Sequence, residues 1–252
     1  MNNTITFIGN GNMALSIAKG LKSNYKIEVI GRDIDKLKKF EKELGIDIIK
    51  STYENSSIEN KKIILCVKPA NLTEVGSKLN GIASELYSVL AGTTVEQLKQ
   101  NIKSKATVRV MPNLCATINR SMTTLTGDDS IKDEAIKIFD FIGDTLWLSS
   151  QKELDIATAV AGSGPAYLAL IHEALCDGAV KQGMKRADAI AVTNGLFKGF
   201  GELISTTHPA ILKDGVMSPG GTTAAGYSAL EQEGVRYGCI KAVEDAFKVT
   251  QK

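Results

Sequence analysis

The chain has few groups that titrate or oxidise near neutrality. Two histidines and four cysteines are spread over 252 residues. His172 stands mid-helix among Leu168, Ile171 and Leu175 and reads as a packed helix residue; His208 precedes Pro209 as a loop or cap residue. No Ser-His-Asp set, metal-ligand cluster or carboxylate pair stands out, so triad hydrolysis and metal-assisted chemistry have no candidates. Cys66, Cys115, Cys176 and Cys239 form no C-x-x-C pair and sit among apolar or small residues. That is the pattern of reduced structural thiols in the cytoplasm, not of a disulfide framework or a zinc site.

An excess of one charge is also missing. A formal net charge of +2 gives no electrostatic reason to expect nucleic acid or an anionic membrane as partner. The start, residues 1–6, is polar and runs straight into a strand; no basic stretch precedes an apolar one, so a cytoplasmic rather than secreted protein is expected. Apolar runs stop short of a membrane span. The nearest, 156–171, is interrupted by Gly162, Ser163, Gly164 and Pro165. One absence is local: residues 153–180 contain neither Lys nor Arg.

What is present is ordinary globular composition, 43% hydrophobic and 23% charged, which excludes disorder, in a length that suits two modest domains. In the first half, strand and helix signals alternate. Residues 5–8, 27–30, 46–49, 63–67, 86–91, 107–111, 122–126 and 145–148 read as strands; 13–21, 35–44 and 130–142 read as helices, the last with Asp128, Asp129 and Ser130 as candidate caps. This alternation predicts an α/β fold, with an N-terminal Rossmann domain built on a doubly wound, mostly parallel sheet. The texture changes near Ser149. Beyond it lie Ala-rich helical stretches at 154–160, 166–182, 186–206, 222–233 and 235–248. The predicted division is 1–150 for the dinucleotide-binding domain and 151–252 for an all-helical second domain. Short side chains bury little area each, so the second half is expected to be completed by another copy of itself, as a homodimer.

Gly9-Asn10-Gly11-Asn12-Met13-Ala14 fits G-x-G-x-x-G/A, follows a strand and opens a helix. Gly9 permits the tight turn, Gly11 lets a pyrophosphate approach the backbone, and Ala14 allows close helix–strand packing. At the end of the second strand, where an acid would read an NAD ribose, stands Gly31. Arg32 suits a 2′-phosphate and Asp33 opposes it unless it caps the next helix; NADP is favoured, with NAD as the alternative. Lys68, in Val67-Lys68-Pro69, ends a buried strand at the sheet edge where ligands sit, though a plain strand terminator reads almost as well.

The densest constellation is Lys213-Asp214-Gly215-Val216-Met217-Ser218-Pro219-Gly220-Gly221-Thr222-Thr223. Exposed N–H groups ahead of a helix form an anion nest suited to a carboxylate, held by Gly220, Gly221 and Thr222, with the Thr223 hydroxyl reaching a neighbouring polar atom. A capping loop that binds only itself is the competing reading. A second break, 161–166, contains Ser163 and reads as a place where a planar ring nears the backbone. No general acid is in view. A protonated imine needs none, because its carbon is already electrophilic.

Phe7-Ile8-Gly9-Asn10-Gly11-Asn12-Met13-Ala14, Val67-Lys68-Pro69, Arg109-Val110-Met111-Pro112-Asn113, Gly162-Ser163-Gly164-Pro165-Ala166-Tyr167 and the 208–223 segment together resemble pyrroline-5-carboxylate reductases in order and spacing. The resemblance implies reduction of 1-pyrroline-5-carboxylate to L-proline by NAD(P)H, with an all-helical dimerisation domain and dimers that assemble further. It places the substrate carboxylate on Ser218, Gly220, Gly221 and Thr222, gives Thr223 the catalytic contact with the ring nitrogen, and adds Ser163 to the substrate side. Cofactor contacts fall on Gly9, Asn10, Gly11, Asn12, Met13, Arg32, Asn55, Val67, Lys68, Pro69, Ala91 and Gly92. The chain departs from the family at Leu114-Cys115, where Thr-Pro is common, and at Gly31, where Asn or Ser is. A β-hydroxyacid dehydrogenase would need a lysine on the first helices of the second domain, which the Lys-free stretch lacks. A reductase of a related cyclic imino acid and a non-catalytic dinucleotide sensor remain as alternatives.

Overall fold

Ile5, Phe7, Ile8, Ile27, Val29, Ile63, Ile64 and Leu65 are all buried, on both sides of their strands. Such runs form where a sheet is covered on both faces. The computed structural model describes residues 3–251; Met1, Asn2, Lys252 and the Asn55 side chain lie outside the described residues, and with them the first two residues of the expected polar start. Eight strands make one sheet: β1 Thr4–Ile8, β2 Lys26–Gly31, β3 Ile49–Thr52, β4 Lys62–Leu65, β5 Glu85–Ser88, β6 Thr107–Met111, β7 Ser121–Gly127 and β8 Gly143–Trp147. Their order is β3-β2-β1-β4-β5-β6-β7-β8, parallel throughout except between β6 and β7. The helices of this half are α1 Asn12–Leu21, α2 Ile34–Leu44, α3 Leu72–Gly76, α4 Val95–Asn101, α5 Lys132–Phe139 and α6 Gln151–Ala157. The direction of strand succession reverses between β1 and β4, so the switch point of the sheet lies just beyond Ile8 and Leu65.

Several elements differ from expectation. The third strand begins at Ile49, not 46, because the Glu41 carboxylate accepts the Ile48 N–H at 3.0 Å and keeps that backbone out of the ladder. The expected helix 130–142 is α5 with a short 3-10 turn at each end, Asp129–Ile131 and Asp140–Ile142. Asp128 does not cap it. Its carboxylate accepts the Thr107 N–H at 2.7 Å and pairs with Lys99 instead. Two short helices, α3 and α4, have too few residues to show a period, although α4 carries a Thr94–Gln97 capping box.

The break expected at 161–166 does not interrupt the helix. α6 passes through a π turn at Thr158–Gly162 into α7, Gly164–Lys181, as one helix from Gln151 to Lys181. By length and composition alone this helix is sufficient to cross a membrane, which corrects the expectation of no such run. Contacts divide the chain into Met1–Ser163 with Ala246–Lys252, and Gly164–Asp245. α6 therefore belongs with the sheet, where Leu154 is fully buried and Asp155 pairs with Arg109. The second unit holds α7, α8 Arg186–Leu203, α9 Pro209–Val216, α10 Thr222–Gln232 and most of α11 Val235–Thr250. Only Cys176, Ala189 and Thr193 are buried in it, while Leu170 is 67% exposed, Leu196 56% and Phe200 51%. His172 packs edge-on to Phe197, with ring centroids 5.2 Å apart, and bonds Asn194 at 2.9 Å, as a packed helix residue does.

Candidate active site

At the switch point the chain leaves β1 through Gly9, whose φ of +103° no other residue adopts without strain. A Cβ there would lie 2.6 Å from the Cys66 carbonyl oxygen, so the turn closes against the end of β4 only because the side chain is missing. The Gly9 N–H donates to the Ile30 carbonyl at 2.9 Å, tying the turn to β2 as well. Gly11 is the N-cap of α1 with φ −78° and ψ 179°, and it brings no side chain to the first-turn N–H groups. Ala14 is fully buried against the sheet. The start of α1 is thus an open helix end in a cradle of backbone.

A cleft of about 780 Å³ opens on this turn. Of the expected cofactor residues, Gly9, Asn10, Gly11, Arg32, Val67 and Lys68 line it; so do Lys36, Tyr53 and Glu74, which sequence reasoning missed. Asn12 faces an adjoining hollow with Asn10, Gly11 and Lys36. Met13 packs on the hydrophobic core, Pro69 begins a 3-10 turn, and Ala91 and Gly92 form an exposed turn after β5. The Asn55 backbone closes the 3-10 turn that holds Tyr53, and its side chain is outside the described residues.

Gly31 is buried and brings no acidic side chain to the end of β2; a Cβ on it would stand 2.9 Å from Leu37 Cδ2 and would have to displace that side chain. The next acid, Asp33, is engaged as the N-cap of α2, where its carboxylate accepts the N–H groups of Asp35 at 2.9 Å and Lys36 at 3.3 Å. Arg32 and Lys36 remain as exposed cations on the lining. Glu74 is held by Lys78 at 2.8 Å, and that ammonium, helped by Arg32, keeps its carboxyl below the usual range. Burial pushes the Tyr53 phenol up, with the Arg32 charge opposing.

In the second unit, Ser218–Gly221 is a tight turn. The Gly221 N–H donates to the Ser218 carbonyl at 2.9 Å, Pro219 takes the position it prefers, and Gly220 has φ +71°. Gly221 is the N-cap of α10 with φ −77° and ψ 164°, again with no side-chain cap. A Cβ on Gly221 would lie 2.5 Å from Ser218 Oγ, so the hydroxyl occupies the space the glycine leaves. Gly11 and Gly221 therefore open two helices in nearly the same way, whereas Asp33, Thr94, Ser150 and His208 cap α2, α4, α6 and α9 with their side chains. Thr222 and Thr223 are exposed on the first turn of α10. The helices that flank the loop are joined by side chains. Lys213 lies 5.5 Å over the Tyr227 ring, Arg236 bonds the Tyr227 hydroxyl at 2.6 Å, and the Arg236–Glu231 pair pulls the Glu231 carboxyl down to about 2. Ser163 lies in the other unit, where it ends the π turn with its N–H on the Thr158 carbonyl at 3.0 Å.

Comparison with known proteins agrees with this plan. Residues 151–252 match the family described as pyrroline-5-carboxylate reductase dimerisation, and residues 4–92 match NADP oxidoreductase, coenzyme F420-dependent. The pyrroline-5-carboxylate reductase of Synechocystis sp. is 36% identical over 82% of this chain and 83% of its own. The solved 1-pyrroline-5-carboxylate reductase of Streptococcus pyogenes superposes with a TM-score of 0.88 at 28% identity, over 98% of both chains. The pyrroline carboxylate reductase of Plasmodium falciparum, solved with NADP bound, gives 0.81 at 25% identity over 99% of this chain and 97% of its own. A Rossmann sheet followed by helices of this kind is the plan of an NAD(P)-dependent oxidoreductase. The chain belongs to the pyrroline-5-carboxylate reductase family.

Proposed function

We propose that this protein reduces 1-pyrroline-5-carboxylate to L-proline in the cytoplasm, as a homodimer and with NADPH as the preferred reductant over NADH. The reading is carried by the two open helix ends with glycine N-caps, Gly11 and Gly221, in a chain of this family. The first takes the dinucleotide pyrophosphate. The cradle fits it, because Gly9 lets the turn close against the end of β4 and Gly11 brings no capping side chain to the first-turn N–H groups of α1. When bound, NADPH supplies the hydride. Asn10, Asn12, Met13, Val67, Lys68, Pro69, Ala91 and Gly92 complete its binding surface, and Arg32 with Lys36 receives the 2′-phosphate while the Asp33 carboxylate is engaged as the cap of α2.

The second open end takes the substrate carboxylate on the N–H groups of Gly220, Gly221 and Thr222 and on the Ser218 hydroxyl. Thr223 holds the ring nitrogen by its hydroxyl, and Ser163 lies on the ring side. The protonated imine brings its own electrophilic carbon, so these residues orient rather than exchange protons. Residues 1–150 serve the dinucleotide and 151–252 the substrate and the dimer. The apolar faces of α7 and α8 are covered by a second copy of this chain rather than by lipid. Rates with NADPH and with NADH on the same imine test the reading. Turnover with both and a higher kcat/KM for NADPH support it; turnover with neither contradicts it.

A further inference from the structure

The segment Arg109-Val110-Met111-Pro112-Asn113 has no part in either open helix end, yet its alternate residues all reach one helix. Arg109 is 1% exposed and is the largest fully buried side chain among the described residues. Its Nη2 donates to Asp155 Oδ1 at 2.7 Å and its Nη1 to Gln151 Oε1 at 3.4 Å. Two residues on, Met111 lies against the π turn: a Cβ on Gly162 would be 4.0 Å from Met111 Cγ. Two further on, Asn113 Nδ2 donates to the Ala161 carbonyl at 3.0 Å. Pro165, four residues ahead, has no N–H to offer that carbonyl. Three contacts thus run from β6 and its extension along α6 and the π turn.

The ladder is a costly way to attach a helix. A buried ion pair rarely stabilises more than apolar packing of the same size would. Arg109 Nε is buried without a partner, which adds a desolvation cost. What such groups provide is a defined position. Asn113 is the point where two positions meet. Its Oδ1 accepts the Cys115 N–H at 3.0 Å and shapes the turn that leaves β6, at the carboxyl edge of the sheet where ligands sit. Its Nδ2 holds the helix at Ala161, shortly before that helix continues as α7.

We propose that Asn113, with the Arg109–Asp155 pair behind it, is a positioning residue for the reduction. It fixes the π turn and Ser163, both within the first unit, to the sheet edge that binds the dinucleotide, and so sets where the ring-side Ser163 stands. This rests on the function proposed above.

Asn113→Asp tests it. The substitution keeps the acceptor for Cys115, removes the donor to Ala161 and sets a carboxylate against that carbonyl. With pyrroline-5-carboxylate and NADPH, kcat should fall roughly tenfold to hundredfold, while the NADPH Kd read by fluorescence stays within about twofold. Adding Pro165→Ala returns an N–H four residues after Ala161. The double variant should recover the Tm lost in N113D and leave kcat low, because the carbonyl is satisfied but the tether is not restored. Recovery of both would make the bond merely structural and overturn the proposal, as would wild-type kcat in N113D. Should N113D fail to fold, Asp155→Asn is read by the same split of kcat from NADPH Kd, with unchanged kcat overturning the proposal. Absence of wild-type turnover would remove the functional reading and this proposal together, whereas wild-type turnover with an unaffected variant would remove the proposal alone.

Discussion

Gly9 and Cys66 meet where no side chain fits: a Cβ on Gly9 would stand 2.6 Å from the Cys66 carbonyl oxygen. With φ at +103°, any other residue also carries backbone strain of roughly 1–3 kcal/mol. Gly9→Ala should lower the Tm and abolish NADPH binding measured by isothermal titration. A variant that binds as wild type does would show that the pyrophosphate does not approach this turn.

Arg32 and Asp33 are adjacent and opposite in charge, but the Asp33 carboxylate is occupied by two N–H groups of α2. Arg32→Ala should therefore weaken NADPH by roughly tenfold to hundredfold, the worth of a charge-assisted hydrogen bond, and NADH much less. Asp33→Ala should lower thermal stability by about 0.5–2 kcal/mol through loss of the cap. Equal losses of both coenzymes in the Arg32 variant would mean that this side chain does not read the 2′-phosphate.

Thr223 lies on the first turn of α10, beyond the Gly220 turn. Its methyl-for-hydroxyl counterpart, Thr223→Val, keeps the shape and removes the hydrogen bond. We expect kcat to drop by roughly tenfold to hundredfold with the far-ultraviolet spectrum and NADPH affinity unchanged. Unaltered turnover would reduce the hydroxyl to a surface group.

Leu196 and Phe200 stand one turn apart on α8 and are more than half exposed in the single chain. Covering such a side chain is worth about 1.5–3 kcal/mol. The wild-type protein should sediment as a dimer or larger, and Phe200→Asp should shift it toward monomer with loss of helicity. A folded wild-type monomer would leave these faces without the proposed cover.

Much of this was legible because the physics is local. Strands buried on both faces read as runs of Ile, Val and Leu, and the turn at Gly9 and the turn at Ser218–Gly221 each demand glycine or proline at fixed offsets. What was not legible depends on distant partners. The strand expected at 46–49 slid because Glu41 took the Ile48 N–H. Gly162 and Pro165 read as a break, yet the helix continues through a π turn, with Asn113 supplying a donor from 48 residues away in sequence. Lys36 and Tyr53 carry no motif; they become part of the cleft only when α2 and the turn after β3 come to line it beside Gly9 and Gly11.

The most direct test is the stoichiometry of the reaction. Purified protein given NADPH and pyrroline-5-carboxylate should form one L-proline for each NADPH oxidised, at a rate that vanishes when either is withheld. NADPH binding without proline formation would contradict the account, leaving a dinucleotide sensor in place of a reductase.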